Sequence, residues 1–223
     1  MRRAKLPDRQ LPHYTKGEEL FNMISHIAGG ALGIVTTVLC VVFAAIHSNI
    51  FGVITGAIFG ASMIILYTMS SIYHGLRPNT AKKVFQVIDH CSIFLLIAGT
   101  YTPFSLCVLR EYNTALGWTV FGVIWGLAVL GITLNAIDLK RFNIISMVLY
   151  ISMGWCIIFT AKTVYNYIGS AGFILLVSGG ISYTIGAVLY GLGRKHRYMH
   201  SVFHIFVVLG SLLHFLCILL FIM

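Results

Sequence analysis

The chain has 223 residues, of which 58% are hydrophobic and only 9% charged, with a formal net charge of +9 and a mean hydropathy of +0.91. A soluble domain carries about 25% charged residues, so this composition excludes one. Apolar runs of about 20 residues suffice to cross a bilayer, and seven of them predict an all-α membrane protein, a seven-transmembrane-helix bundle.

Residues 1–18 are polar and basic and are expected to form a cytoplasmic N-terminal segment. The apolar run that follows is too long for the core of a secretory signal. Residues 19–223 are expected to form one transmembrane domain. Its first span is predicted at Phe21–Ala45 and is introduced by Glu19, Asn22 and His26. Their i, i+3, i+7 spacing places them on one helix face. The second span, Gly52–His74, closes with Ser70 and His74 one turn apart, and Pro78-Asn79 marks the turn after it. The third, Phe85–Val108, opens with Asp89 and contains Pro103, which predicts a bend.

The fourth, fifth and sixth spans are predicted at Ala115–Asn135, Phe142–Lys162 and Ala171–Leu192. The seventh, His200–Ile222, starts with His200 and His204, two imidazoles four residues apart on one helix face. His214 shares that face about 15 Å deeper, too far to join them on one ion, and is expected to line a cavity or pack. His13, His47, His90 and His196 are expected at solvent or at the interface. The five cysteines form no C-x-x-C and read as reduced packing residues.

Thirteen of the 15 basic residues fall on the N-terminal segment and alternate connections. They are Arg2, Arg3, Lys5, Arg9, Lys16, Arg77, Lys82, Lys83, Lys140, Arg141, Arg194, Lys195 and Arg197; only Arg110 and Lys162 fall on the other side. By the positive-inside rule the N-terminus is expected in the cytoplasm and the C-terminus outside. The surplus charge is a signal for topology and anionic membrane lipids, which argues against a nucleic-acid partner.

With that topology, Glu19, Asn22, His26, Ser70, His74, Asp89, His200 and His204 all lie at the cytoplasmic end of the bundle. Ionisable groups inside a membrane are costly and mark functional sites. Neutral imidazole is a common zinc ligand, and a catalytic zinc keeps three protein ligands and an open position. His74, His200 and His204 are therefore the candidate metal ligands. Asp89 is a candidate general base or a fourth ligand, and Ser70 can hold a water or a substrate carbonyl. Glu19, Asn22 and His26 are expected to support the ligands from behind.

At these residues the chain resembles the hemolysin III family, the bacterial branch of the progestin and adipoQ receptor superfamily. The resemblance rests on Glu19-x-x-Asn22-x-x-x-His26, on Ser70-x-x-x-His74 followed by Asp89, on His200-x-x-x-His204, and on Gly99-Thr100-Tyr101-Thr102-Pro103. It covers nearly the whole chain. It implies a seven-span bundle with Zn2+ on His74, His200 and His204, and with Asp89 holding a water on the metal. Ceramide-hydrolysing enzymes in the wider superfamily imply amide hydrolysis of a lipid substrate. The chain departs from the family pattern after Asp89, where His90 replaces a tyrosine. The readings left open are a zinc-dependent lipid hydrolase, a membrane-homeostasis or receptor-like protein with structural zinc, and a cytolytic activity. All three place the chain in a cell membrane.

Overall fold

The computed structural model describes residues 10–192 and 196–223, so Arg2, Arg3, Lys5, Arg9, Arg194 and Lys195 lie outside the described residues. Those described residues are helical, with no strand among them. The elements are α1 (Lys16–His47), α2 (Ile50–Gly75), α3 (Thr80–Pro103), α4 (Arg110–Tyr112), α5 (Thr114–Asp138), α6 (Asn143–Trp155), α7 (Ala161–Leu192) and α8 (Met199–Phe221).

Helix starts follow from side-chain caps for the first backbone N–H groups, which have no partner within the helix. Thr15 and Glu18 form a reciprocal capping box at α1. Asn49, Asn79 and Asn113 accept from backbone N–H groups at the starts of α2, α3 and α5. Asn79 thus ends the turn expected at Pro78-Asn79.

Six helical segments among the described residues are long and apolar enough to cross a membrane. The predicted spans 21–45, 52–74 and 115–135 each lie within one of them, and 200–222 overruns Met199–Phe221 by one residue. The third runs from Thr80 to Tyr112, and the six residues Phe104–Leu109 that follow Pro103 are a π-helix. Here the Arg110 N–H bonds the Ser105 carbonyl, five residues back instead of four.

The predicted fifth and sixth spans fall almost entirely in one 50-residue stretch, Asn143–Leu192, in which a short 3-10 segment, Cys156–Thr160, joins α6 to α7 and non-helical backbone at Gly169 separates the two spans. Inside α7, Gly169 has φ 68 and ψ −176, a backbone region essentially restricted to glycine. The Trp155 Nε1–H donates to Thr184 Oγ1 at 3.0 Å although they are 29 residues apart. A straight helix would separate them by about 43 Å, so the chain reverses between them, around Gly169. Beyond it, Gly172, Gly179 and Gly186 of α7 face Phe221, His214 and Phe203 of α8, an antiparallel pairing.

Packing is close where side chains are small. A Cβ on Gly60 of α2 would come within 2.7 Å of the Thr37 backbone on α1. Membrane helices lack a hydrophobic drive toward one another, so such backbone approach supplies much of their association. The segment Thr80–Tyr112 is the most enclosed, with 83% of its apolar stretch buried against 11–50% elsewhere. Large apolar side chains such as Ile34, Val38, Val129, Ile174 and Val188 point outward, as a lipid-facing surface requires. The buried polar residues therefore stand out as a group, and α3 carries part of it into the middle of the bundle.

Candidate metal centre

Hydrogen bonds between the N-terminal ends of α1 and α8 build the floor of the site. Glu18 Oε2 accepts from the Thr15 N–H at 2.8 Å, and its other oxygen, Oε1, accepts from the Tyr198 N–H at 2.8 Å. Tyr198, at φ 61, is the described non-glycine residue in the left-handed region, and it turns the chain into α8. This junction lays the Tyr14 ring on His200, with centroids 4.9 Å apart and planes 22° apart, and beside His74 at 5.7 Å. Burial pushes the Tyr14 phenol up from its ordinary pKa, so it stays neutral.

His74 ends α2, while His200 and His204 occupy successive turns of α8. All three are buried, and each offers a nitrogen within 4.8 Å of the others. The Nε2 atoms of His200 and His204 are 3.0 Å apart. His74 Nδ1–H donates to Glu19 Oε2 at 2.7 Å, and the Asn22 amide lies 3.5 Å from the same nitrogen. His74 Nε2 has no hydrogen-bond partner despite complete burial. A carboxylate on one ring nitrogen fixes the tautomer that leaves the other a lone pair, the usual support behind a metal-bound imidazole. The donor set therefore fits a divalent metal that takes nitrogen ligands, and this group of three histidines can hold one.

Glu19 is itself held. Lys82 Nζ donates to its Oε1 at 2.7 Å and to the Leu76 carbonyl at 3.0 Å, and Lys82 is only 3% exposed. His26 sits elsewhere. Its ring stacks on His204 at 3.7 Å and meets the edge of Tyr67 at 5.0 Å, and both its nitrogens are buried without a hydrogen bond. Glu19 and Asn22 thus address His74, and His26 addresses His204, all from one face of α1.

Ser70 and Asp89 form a second group, in which the hydroxyl is hydrogen-bonded to the carboxylate. Both are buried and open, with His26, His200 and His204, onto a cavity of about 160 Å³. Apolar side chains, among them Leu66, Ile93, Leu96, Ile97 and Val207, make most of its wall. His214 lines its deeper part, as its position on α8 led us to expect.

His90 corrects the sequence reading. It is not at solvent or at the interface but half-buried on the cavity wall, with Nδ1 2.8 Å from the Gln86 carbonyl and 3.8 Å from Asp89 Oδ2. Its Nε2 lies 3.2 Å from the Tyr190 hydroxyl, and the Tyr190 ring reaches within 5.6 Å of His200. His13, His47 and His196 are exposed, as expected. Sequence reasoning missed Tyr14, Lys82, His90 and Tyr190. Only His90 carried a usable signal, as the neighbour of Asp89 at the point where the chain leaves the family pattern.

No solved structure matches the chain. It is 38% identical over 206 residues to "Hemolysin-3" of Bacillus cereus, covering 92% of each chain. It is equally similar to the "Hemolysin-3 homolog" of Bacillus subtilis (strain 168), covering 92% of this chain and 95% of that one. A more distant likeness, 23% identity over 171 residues, links 74% of it to 69% of the human "Monocyte to macrophage differentiation factor". Residues 14–215, which include the buried histidines, Asp89 and Tyr14, match the family described as Haemolysin-III related. The chain is an integral protein of the cell membrane and belongs to the hemolysin III family.

Proposed function

We propose that this protein is a zinc-dependent hydrolase of an acyl-chain lipid, cleaving an amide in the manner of a ceramidase. One observation carries the proposal: His200 and His204, two of the three clustered imidazoles, open with the Asp89–Ser70 carboxylate–hydroxyl pair onto one mostly apolar cavity. A structural metal needs no such cavity. Zinc, when bound, would polarise the scissile carbonyl and acidify a water toward a pKa of about 7.

The chain's own groups divide the remaining work. Glu19, steadied by Lys82, holds the Nδ1 proton of His74 and so aims Nε2 inward. The Asp89 carboxylate takes the proton of the attacking water and returns it to the departing amine, so water and amide become acid and amine. Ser70 keeps that carboxylate in place. Tyr14 covers the histidines from the outer side and excludes bulk water.

The same reading includes topology. The reversal around Gly169 divides the 50-residue segment into two passes, giving seven in all. The basic residues then place the N-terminus in the cytoplasm, the C-terminus outside, and the site at the cytoplasmic end.

A second reading is a membrane-homeostasis or receptor-like protein in which zinc clamps α2 to α8. The packing of Tyr14, His26, His74, His200 and His204 ring against ring favours it. The name of the Bacillus relatives suggests cytolysis, but a chain with this many apolar spans does not survive in water as a secreted pore-former must.

The test is turnover by purified protein in nanodiscs against a panel of N-acyl and ester lipids, with and without chelator. Chelator-sensitive cleavage of an N-acyl lipid supports the hydrolase. Bound zinc with a protein atom in its fourth position, and no cleavage of any lipid, replaces it with the clamp.

A further inference from the structure

The cavity has a second polar end. His214 lies on α8 ten residues beyond His204, about 15 Å along the helix axis, and is only 6% exposed. Its Nδ1 is 2.8 Å from the Gly210 carbonyl. A carbonyl only accepts, so the ring proton sits on Nδ1, and Nε2 keeps its lone pair. The ring is clamped. Tyr183 stacks on it at 5.2 Å and 12°, and a Cβ on Gly179 would strike its Cε1 at 2.5 Å. Tyr183 is fixed in turn by its hydroxyl contact with Ser211 at 2.8 Å, and Tyr67 donates to the same Ser211 oxygen at 2.6 Å.

The neighbouring polar groups are already engaged. Thr100 donates to the Leu96 carbonyl, Tyr101 to the Gly154 carbonyl and Thr184 to the Gly180 carbonyl. His214 Nε2 is thus a rigid acceptor on an otherwise apolar stretch of wall, and an acceptor left unpaired there carries a desolvation cost.

We propose that His214 Nε2 is the acceptor of a second subsite, one that takes a hydroxyl carried partway along the acyl chain of the bound lipid. The inference rests on reading the cavity as a lipid site, with the lipid's head at His74, His200 and His204. An extended chain of ~1.5 Å C–C bonds advances about 1.26 Å per bond, so the separation corresponds to roughly twelve carbons. A site built around a hydrogen bond discriminates against the analogue that lacks it. His214 would then select hydroxylated over plain chains.

The experiment displaces a fluorescent fatty acid from the purified full-length protein in nanodiscs, using stearic, 6-hydroxystearic and 12-hydroxystearic acids as probes. The 12-hydroxy acid is expected to bind about tenfold tighter than the other two, the worth of one well-placed hydrogen bond. His214→Phe, which keeps a ring but no acceptor, is expected to erase the advantage of 12-hydroxystearic acid over stearic acid. Equal binding of all three acids to the wild type would overturn the subsite and leave the lipid cavity standing. No displacement by any acid would overturn the lipid cavity and the subsite with it. The wild-type ranking decides the matter even where His214→Phe fails to fold.

Discussion

Single side chains in this protein are informative because the surrounding medium penalises them. Asp89 lies deep in a bundle where a carboxylate without a role would be selected against, and Ser70 is its hydrogen-bond partner. If Asp89 moves the proton of the attacking water, Asp89→Asn keeps most of the metal and lowers turnover by about 10²–10⁴-fold. Ser70→Ala costs less, since it removes one hydrogen bond. Equal lipid cleavage by wild type and Asp89→Asn contradicts the role. Glu19→Gln weakens metal retention by about 10–100-fold, the usual effect of removing the group behind a metal-bound imidazole, and a chelator titration reads it.

The residues named from the sequence were legible because each is polar where its neighbours are apolar. Lys82 was not, since a lysine beside a helix start looks like a topology charge. Only the fold shows it buried under Glu19. Tyr14 was hidden in a polar segment, and its place on His200 depends on the Glu18–Tyr198 link, which joins residues 180 positions apart. No local pattern encodes such a link.

At the scale of elements, hydropathy located the spans and side-chain caps located their starts. It did not show that the break between the fifth and sixth predicted spans is the single non-helical residue Gly169, because residues 163–170 are otherwise helical and not the loop that a polar stretch with a glycine suggests. One residue, Gly169, carries the strain of the reversal. At φ 68 and ψ −176 with open space around it, Gly169→Ala is penalised by backbone alone, by about 1–3 kcal/mol. Gly126, in the body of α5 with equally open surroundings, is the control. Gly126→Ala is expected to be neutral or stabilising by about 0.5–1 kcal/mol. Thermal unfolding in detergent compares the two, and an equal effect at both sites contradicts the special conformation at 169.

At the scale of the whole molecule, charge and apolar length together define how the chain sits in the membrane. Reporters fused after residue 16, near Asn79 and near Lys195 are expected to report cytoplasm, and a C-terminal fusion the outside. A cytoplasmic C-terminus would remove one pass and place α8, with His200 and His204, at the opposite depth. Acid acts on the assembled centre with a defined sign. Imidazole binds metal only when neutral, so retention weakens as pH falls and protons compete with the metal for the three histidines. A metal on His74, His200 and His204 would tie α2 to α8 at one end, so its removal is expected to lower thermal stability as well.

Everything proposed for the chemistry converges on the metal, and its stoichiometry is the most direct measurement. Elemental analysis of purified protein is expected to give about one zinc per chain, retained by His13→Ala, His47→Ala and His196→Ala. It is expected to be lost from His74→Ala and from the His200→Ala/His204→Ala double variant. Wild-type zinc content in the folded double variant, or a wild type that takes up no zinc, would contradict the account.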